Sequence, residues 1–162
     1  MNWFHELYLN PGTSFWRYLL RVSAATFVLT IPISYALFFI VPDLYPANRD
    51  LISARNLWQS VALYCLIGPI LFSVLSFIIT YILRPRTRNP YLIAGAIAVI
   101  SSLIAVFLEG PGYALVTAWP VFACGLAYQV GYRTSALYAA LSGGGVQCIY
   151  NLAAMGMYFL GN

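Results

Sequence analysis

Five stretches of the sequence, residues 22–41, 57–83, 91–108, 113–130 and 134–160, contain no Asp, Glu, Lys or Arg, and each runs for 18 residues or more. At a rise of about 1.5 Å per residue, a helix of that length crosses the roughly 30 Å hydrocarbon core of a bilayer and satisfies its own backbone hydrogen bonds there. The pattern predicts an all-α integral membrane protein, a bundle of five transmembrane helices forming a single polytopic membrane domain over residues 1–162. Composition points the same way: 62% of the residues are apolar and 7% charged, against about 25% charged in soluble domains. So few charges cannot cover a water-exposed surface. A soluble enzyme, a nucleic-acid-binding domain and a disordered chain are therefore disfavoured.

The basic residues are all arginines, at 17, 21, 49, 55, 84, 86, 88 and 133, and they sit at the ends of the apolar runs. With the N-terminus inside, the cytoplasmic side receives Arg17, Arg21, Arg84, Arg86, Arg88 and Arg133, and the loop between the first two helices receives Arg49 and Arg55 with Asp43 and Asp50. Cytoplasmic loops hold the arginine excess, so the expected orientation is N-terminus cytoplasmic and C-terminus outside, in a bacterial-type inner membrane. Trp16, Tyr18, Tyr81, Tyr91, Tyr128, Tyr132 and Tyr138 would mark one interface, and Tyr45, Trp58, Tyr113 and Tyr158 the other. Between the third and fourth runs, Glu109-Gly110-Pro111-Gly112 either closes a tight hairpin or marks the tip of a re-entrant segment.

Ahead of the first run, residues 2–9 place Trp3, Phe4, Leu7 and Tyr8 on one face of a short helix, with Asn2, His5 and Glu6 turned away and Asn10-Pro11-Gly12 as the stop. That pattern fits an interfacial helix followed by a retained anchor, because no early basic region and no small-residue cleavage site mark a signal peptide. The stretch Leu9-Asn10-Pro11, followed by Thr13 and Phe15, is similar to the opening of bacterial Yip1-like membrane proteins. The similarity is confined to that stretch and implies no functional residue.

The chemistry open to the chain is narrow. Without lysine there is no Schiff base. His5 is the sole histidine, which removes bis-imidazole haem, HExxH metal sites and histidine-dependent serine hydrolysis. Cys65, Cys124 and Cys148 form no CxxC pair and are expected to be free thiols. No catalytic residue, cofactor or metal is expected.

Helix-packing chemistry remains, most of it on the fifth helix. Ala136, Ala140, Gly144, Cys148 and Gly156 form a small-residue face that lets another backbone approach, and the adjacent stripe Ala139, Gly143, Gln147 and Asn151 carries two amides. The glycines Gly143, Gly144 and Gly145 are where the helix is most prone to break, at about 1 kcal/mol each relative to alanine. Ala94, Ala98 and Ser102 give the third helix a second small-residue ladder. Three functions follow. The first is a non-catalytic subunit or assembly partner that contacts the lipid bilayer and binds other membrane protein subunits, or itself, through these faces, with no nucleic acid involved. The alternative is a small transporter or channel component with a solute site at a broken fifth helix, lined by Gln147 and Asn151. The third is an enzyme acting on a lipidic substrate, with Arg84, Arg86, Arg88 and Arg133 contacting its head group.

Five spans put the two termini on opposite sides of the membrane. Tag-accessibility mapping in intact cells should find the N-terminal tag protected and the C-terminal tag reachable from outside; tags on the same side would rule out five spans.

Overall fold

The computed structural model describes residues 3–12, 14–40 and 57–160, and these form helices and short turns: α1 (Trp3–Leu9), α2 (Phe15–Ile40), α3 (Leu57–Val61), a π-helical segment (Ala62–Ile67), α4 (Gly68–Leu83), α5 (Pro90–Glu109), α6 (Pro111–Tyr132) and α7 (Ala136–Leu160). The loop bearing Asp43, Tyr45, Arg49, Asp50 and Arg55 lies outside the described residues, as do Asn2, Thr13, Val41 and the tail Gly161-Asn162.

Local chemistry sets the helix ends. The Asn89 side chain accepts from the Tyr91 N–H at 3.0 Å, and Pro90 follows at the first helical position of α5. Ser135 caps α7, its hydroxyl accepting from the Tyr138 N–H at 3.0 Å. Ser14 does the same work for α2: its hydroxyl accepts from the Arg17 N–H at 3.5 Å, and its carbonyl takes the first helical bond from the Tyr18 N–H. That cap starts α2 at Phe15, seven residues ahead of the charge-free run, so Arg17 and Arg21 lie in its first turns. Between α5 and α6 a single residue, Gly110, turns the chain at φ 96°. Only glycine adopts that conformation at little cost, and Pro111 then begins α6. The Glu109–Gly112 stretch is accordingly a tight hairpin between two helices of 20 and 22 residues.

Among the described residues, four helices are long and apolar enough to cross a membrane: Phe15–Leu37, Trp58–Leu83, Pro90–Leu108 and Pro111–Tyr132. The chain is thus a helical protein of the membrane class. The fifth, α7, has 25 residues and the length to cross, about 37 Å. Ser142, Gly143, Gly144, Gly145, Gln147 and Asn151 make it less apolar than the others.

That composition matches its position. α6 and α7 pack against each other as the central pair; α5 lies on α6, while α2, α4 and the π-helical segment lie on α7. α6 is the most enclosed of the four apolar helices. Its partner α5 approaches so closely that a Cβ on Gly125 would stand 3.2 Å from the Ala94 Cα. The Ala94 and Ala98 ladder is therefore a packing face within the chain, both residues being buried. Tyr18 and Tyr128 depart from the expected aromatic belt: both side chains turn inward and are buried, while Trp16, Trp58 and Tyr81 stay exposed.

The helix α1 forms as expected and docks on the bundle. Its Tyr8 ring meets Trp119 edge to face with centroids 5.9 Å apart, and Phe4 lies between Trp119 and Tyr91. His5 Nδ1 pairs with the Tyr91 hydroxyl at 3.1 Å, the Tyr18 hydroxyl donates to the Tyr8 carbonyl at 2.8 Å, and Arg21 donates to the Asn10 carbonyl. Trp3 alone of the aromatic face remains exposed. Burial raises the Tyr8 phenol above its usual pKa, partly opposed by the neighbouring Thr26 hydroxyl, which itself donates to the Val22 carbonyl.

Two glycine substitutions test this packing from opposite sides. A Cβ on Gly131 would stand 2.5 Å from the Tyr138 carbonyl oxygen and 2.7 Å from the Ala139 Cα, whereas one on Gly95 meets nothing within 4 Å. Gly131→Ala should destabilise the protein by about 1–3 kcal/mol, and Gly95→Ala should be neutral or stabilise by up to about 1 kcal/mol. Thermal unfolding in detergent micelles measures both.

Candidate functional site

The three glycines of α7 point in three directions, because successive helical residues are rotated by about 100°. A Cβ on Gly143 would meet Tyr128 Cβ at 2.9 Å and the Phe72 ring at 3.1 Å; on Gly144, the Ser73 hydroxyl at 3.1 Å; on Gly145, Leu19 Cδ1 at 3.2 Å. Each glycine thus receives a different neighbour, α6, α4 and α2 in turn. Held on all these sides, α7 runs without a break through residues 143–145. The expected break is absent because tertiary packing outweighs the low helix propensity of glycine. The small-residue face meets α4 closely at Gly144; Ala136 is exposed, Ala140, Gly144 and Cys148 border an open hollow of about 480 Å³ beside Pro69 and Ser73, and a Cβ on Gly156 would meet nothing within 4 Å.

The irregular backbone lies opposite, in the segment Ala62–Ile67. There the Gly68 N–H reaches back to the Leu63 carbonyl, one residue further than in an α-helix. In that register the Tyr64 carbonyl would be met by the N–H of residue 69, which is proline and has none. Asn151 fills the gap: its Nδ2 donates to the Tyr64 carbonyl at 2.6 Å. A Gly-Pro pair such as Gly68-Pro69 is where a helix commonly kinks. The register change, and the amide that answers it, depend on a residue 87 positions away.

Beside this bond a cavity of about 290 Å³ runs from Cys124 and Gln147 in mid-bundle toward Leu108 and Tyr113 near the Gly110 turn. Its wall is mixed. Ser101, Thr117, Gln147 and Asn151 supply polar groups among Leu63, Ile67, Leu71 and Val121, and none of the described lining residues carries a formal charge. Thr117 donates to the Tyr113 carbonyl at 2.8 Å. Gln147 Oε1 and Ser101 Oγ are buried with no hydrogen-bond partner among the described residues. Unmet polar atoms inside a bundle carry a desolvation cost of about 1–3 kcal/mol each, which a hydrogen-bonding guest would offset.

The arginines divide differently from the expectation. Arg84 and Arg88, from the α4–α5 turn, and Arg133, from the α6–α7 turn, line a second cavity of about 340 Å³ with Pro90, Ile93 and Gln129. Arg86 does not line it. The Arg84 guanidinium lies over the Tyr132 ring, 4.5 Å from its centroid. Below, the Gln129 amide donates to the Thr80 hydroxyl at 2.7 Å and ties α6 to α4. The three cysteines are free thiols, Cys124 buried in α6 and Cys65 close to Cys148 across the seam between the π-helical segment and α7.

No family model, curated protein or solved structure matches this chain.

If Asn151 replaces a missing backbone donor, its value depends on Pro69. Asn151→Leu should destabilise the protein by about 1–2 kcal/mol, and less in a Pro69→Ala background, where the restored N–H at position 69 can serve the Tyr64 carbonyl. A double-mutant cycle read by thermal unfolding measures the coupling; strictly additive effects would refute the substitution of one donor for the other.

Proposed function

We propose that this protein crosses the membrane five times, with its arginine end and N-terminus in the cytoplasm, its C-terminus outside and α1 tucked against the cytoplasmic end of the bundle. Its function in this reading is to bind a small neutral polar solute within the bilayer, as a transporter or channel component. One observation carries the reading: the uncharged cavity beside Gln147, where a buried amide oxygen faces no donor. Binding sites of this kind are largely apolar with a few placed polar groups, and π-helical turns recur at functional positions. The absence of charge from the lining favours a guest that offers hydrogen-bond donors over an ion.

A second reading is assembly with other membrane proteins or with further copies of the chain. On the small-residue face of α7, Gly144 is already packed against α4, and the outer face that pairs small residues from two helices lies on α5 and α6. There Ala98, Ser102, Ala114 and Ala118 line an outward groove of about 430 Å³ with Val99, Leu103, Val106, Pro111 and Leu115. Small residues on an outer face permit close helix approach.

Proteoliposome shrink-swell assays with glycerol, erythritol and urea separate the two. Solute binding predicts that the protein accelerates entry of at least one of these. Gln147→Leu should then abolish the effect while the protein stays folded, and Val99→Trp, on the exposed wall of the outer groove, should leave it intact. If none enters faster and Val99→Trp instead dissociates a complex extracted from native membranes, the assembly reading replaces it.

A further inference from the structure

Topology accounts for how many arginines stand at one end of this bundle. It does not account for their convergence. Arg84 and Arg88 come from one turn and Arg133 from another, and they face a common hollow floored by buried Ile93 and by Gln129. No carboxylate lies among the lining residues. Of the chain's acidic residues, Glu6 accepts from Asn10 on a different element. Three like charges drawn together around a cavity repel one another unless an anion sits among them. Arg84 is held over Tyr132, the Gln129–Thr80 bond sets the spacing of α4 and α6 beneath, and Arg88 and Arg133 reach the same hollow as exposed side chains.

We propose that this cavity is a binding site for a phosphate oxyanion, with Arg88 and Arg133 as its principal donors and Arg84 as a third. Guanidinium groups present paired N–H donors matched to phosphate oxygens, and phosphate can accept from several at once. A volume of about 340 Å³ admits a phosphate with its ester substituent. The surroundings favour a phospholipid head group as the source. Arg84 and Arg88 also border an adjoining hollow with Tyr81, Pro85 and Tyr132, and Tyr81 is 69% exposed on the outer surface of α4, where acyl chains would lie. A lipid phosphate among the arginines would thus have its glycerol beside the tyrosines. The site is separate from the uncharged cavity at Gln147 and does not depend on solute binding there.

Arg86 supplies the control. It shares the turn and the charge but does not line the cavity, so Arg86→Gln changes net charge as much as Arg88→Gln or Arg133→Gln does. The full chain, reconstituted in nanodiscs of phosphatidylcholine with a minor fraction of phosphatidic acid or phosphatidylglycerol, is released and examined by native mass spectrometry for retained lipid. The wild type should retain the anionic phospholipid over phosphatidylcholine. Arg88→Gln and Arg133→Gln should each lower that preference at least tenfold, Arg133→Lys should lower it in part, and Arg86→Gln should leave it unchanged. Thermal unfolding of each variant identifies any that fail to fold; comparison of Arg133→Lys with wild type then decides, since it keeps the charge and alters only the donor geometry.

A second arm titrates inorganic phosphate into the protein in pure phosphatidylcholine nanodiscs by calorimetry. Phosphate binding with the same arginine dependence, without lipid retention, would keep the oxyanion site and assign it to soluble phosphate. The proposal is overturned if Arg86→Gln matches the cavity variants, which would make the effect one of net charge, or if neither lipid nor phosphate binds.

Discussion

The hydrogen bond from Asn151 to the Tyr64 carbonyl joins the two unusual stretches of this chain. A proline at position 69 leaves a carbonyl without a backbone donor in the π register, and a membrane interior offers no water to take that place. An amide on α7 must reach it. For that, α7 and the helix carrying Tyr64 must lie close, and the closeness rests on Gly143 and Gly144, where a side chain would meet Phe72, Tyr128 or Ser73. The bond and the glycines thus need each other: glycine brings the backbones together, and the amide makes that proximity compatible with an interrupted helix.

Much of this was legible in the sequence. Charge-free runs marked the apolar helices, Asn10-Pro11-Gly12 marked the end of α1, and Gly143, Gly144, Gln147 and Asn151 were recognisable as a contact surface because amides and glycines are rare choices for a lipid-facing helix. What the sequence withheld was which surface each would touch. Helical periodicity gives a face and not its neighbour, so the three-way packing of the glycines was out of reach. Tyr18 and Tyr128 looked like interface aromatics by position along the chain, and only the arrangement of α1, α2 and α6 turns them inward. The same limit applies to the arginines. Their shared end could be counted from the loops, but the separation of Arg86 from Arg84, Arg88 and Arg133 depends on how two turns meet.

The two cavities occupy opposite halves of the bundle. One lies toward Gly110 and is uncharged; the other opens among the arginines. Between them runs a layer of tightly packed residues, including Ala94, Ile97, Leu126, Ala127 and Tyr128, each almost wholly buried. On the solute-binding reading, a guest moving from one hollow to the other would have to pass that layer. Flux by way of Gln147 would therefore require helices to move, and α5, which lies on α6 at the edge of the central pair, is less enclosed than α6.

The position of α7 bears on how such a chain is made. Helices enter a bilayer in the order of their synthesis, and one carrying three glycines and two amides gains little from lipid on its own. The surfaces that receive those residues belong to α2, α4 and α6, all of which precede it. On the five-span reading, α7 enters a slot already lined for it and completes the bundle as its keystone. A substitution that narrows the slot, such as a bulkier residue at Ser73, would then act during biogenesis, leaving a protein whose earlier helices are inserted and whose last one has nowhere to go.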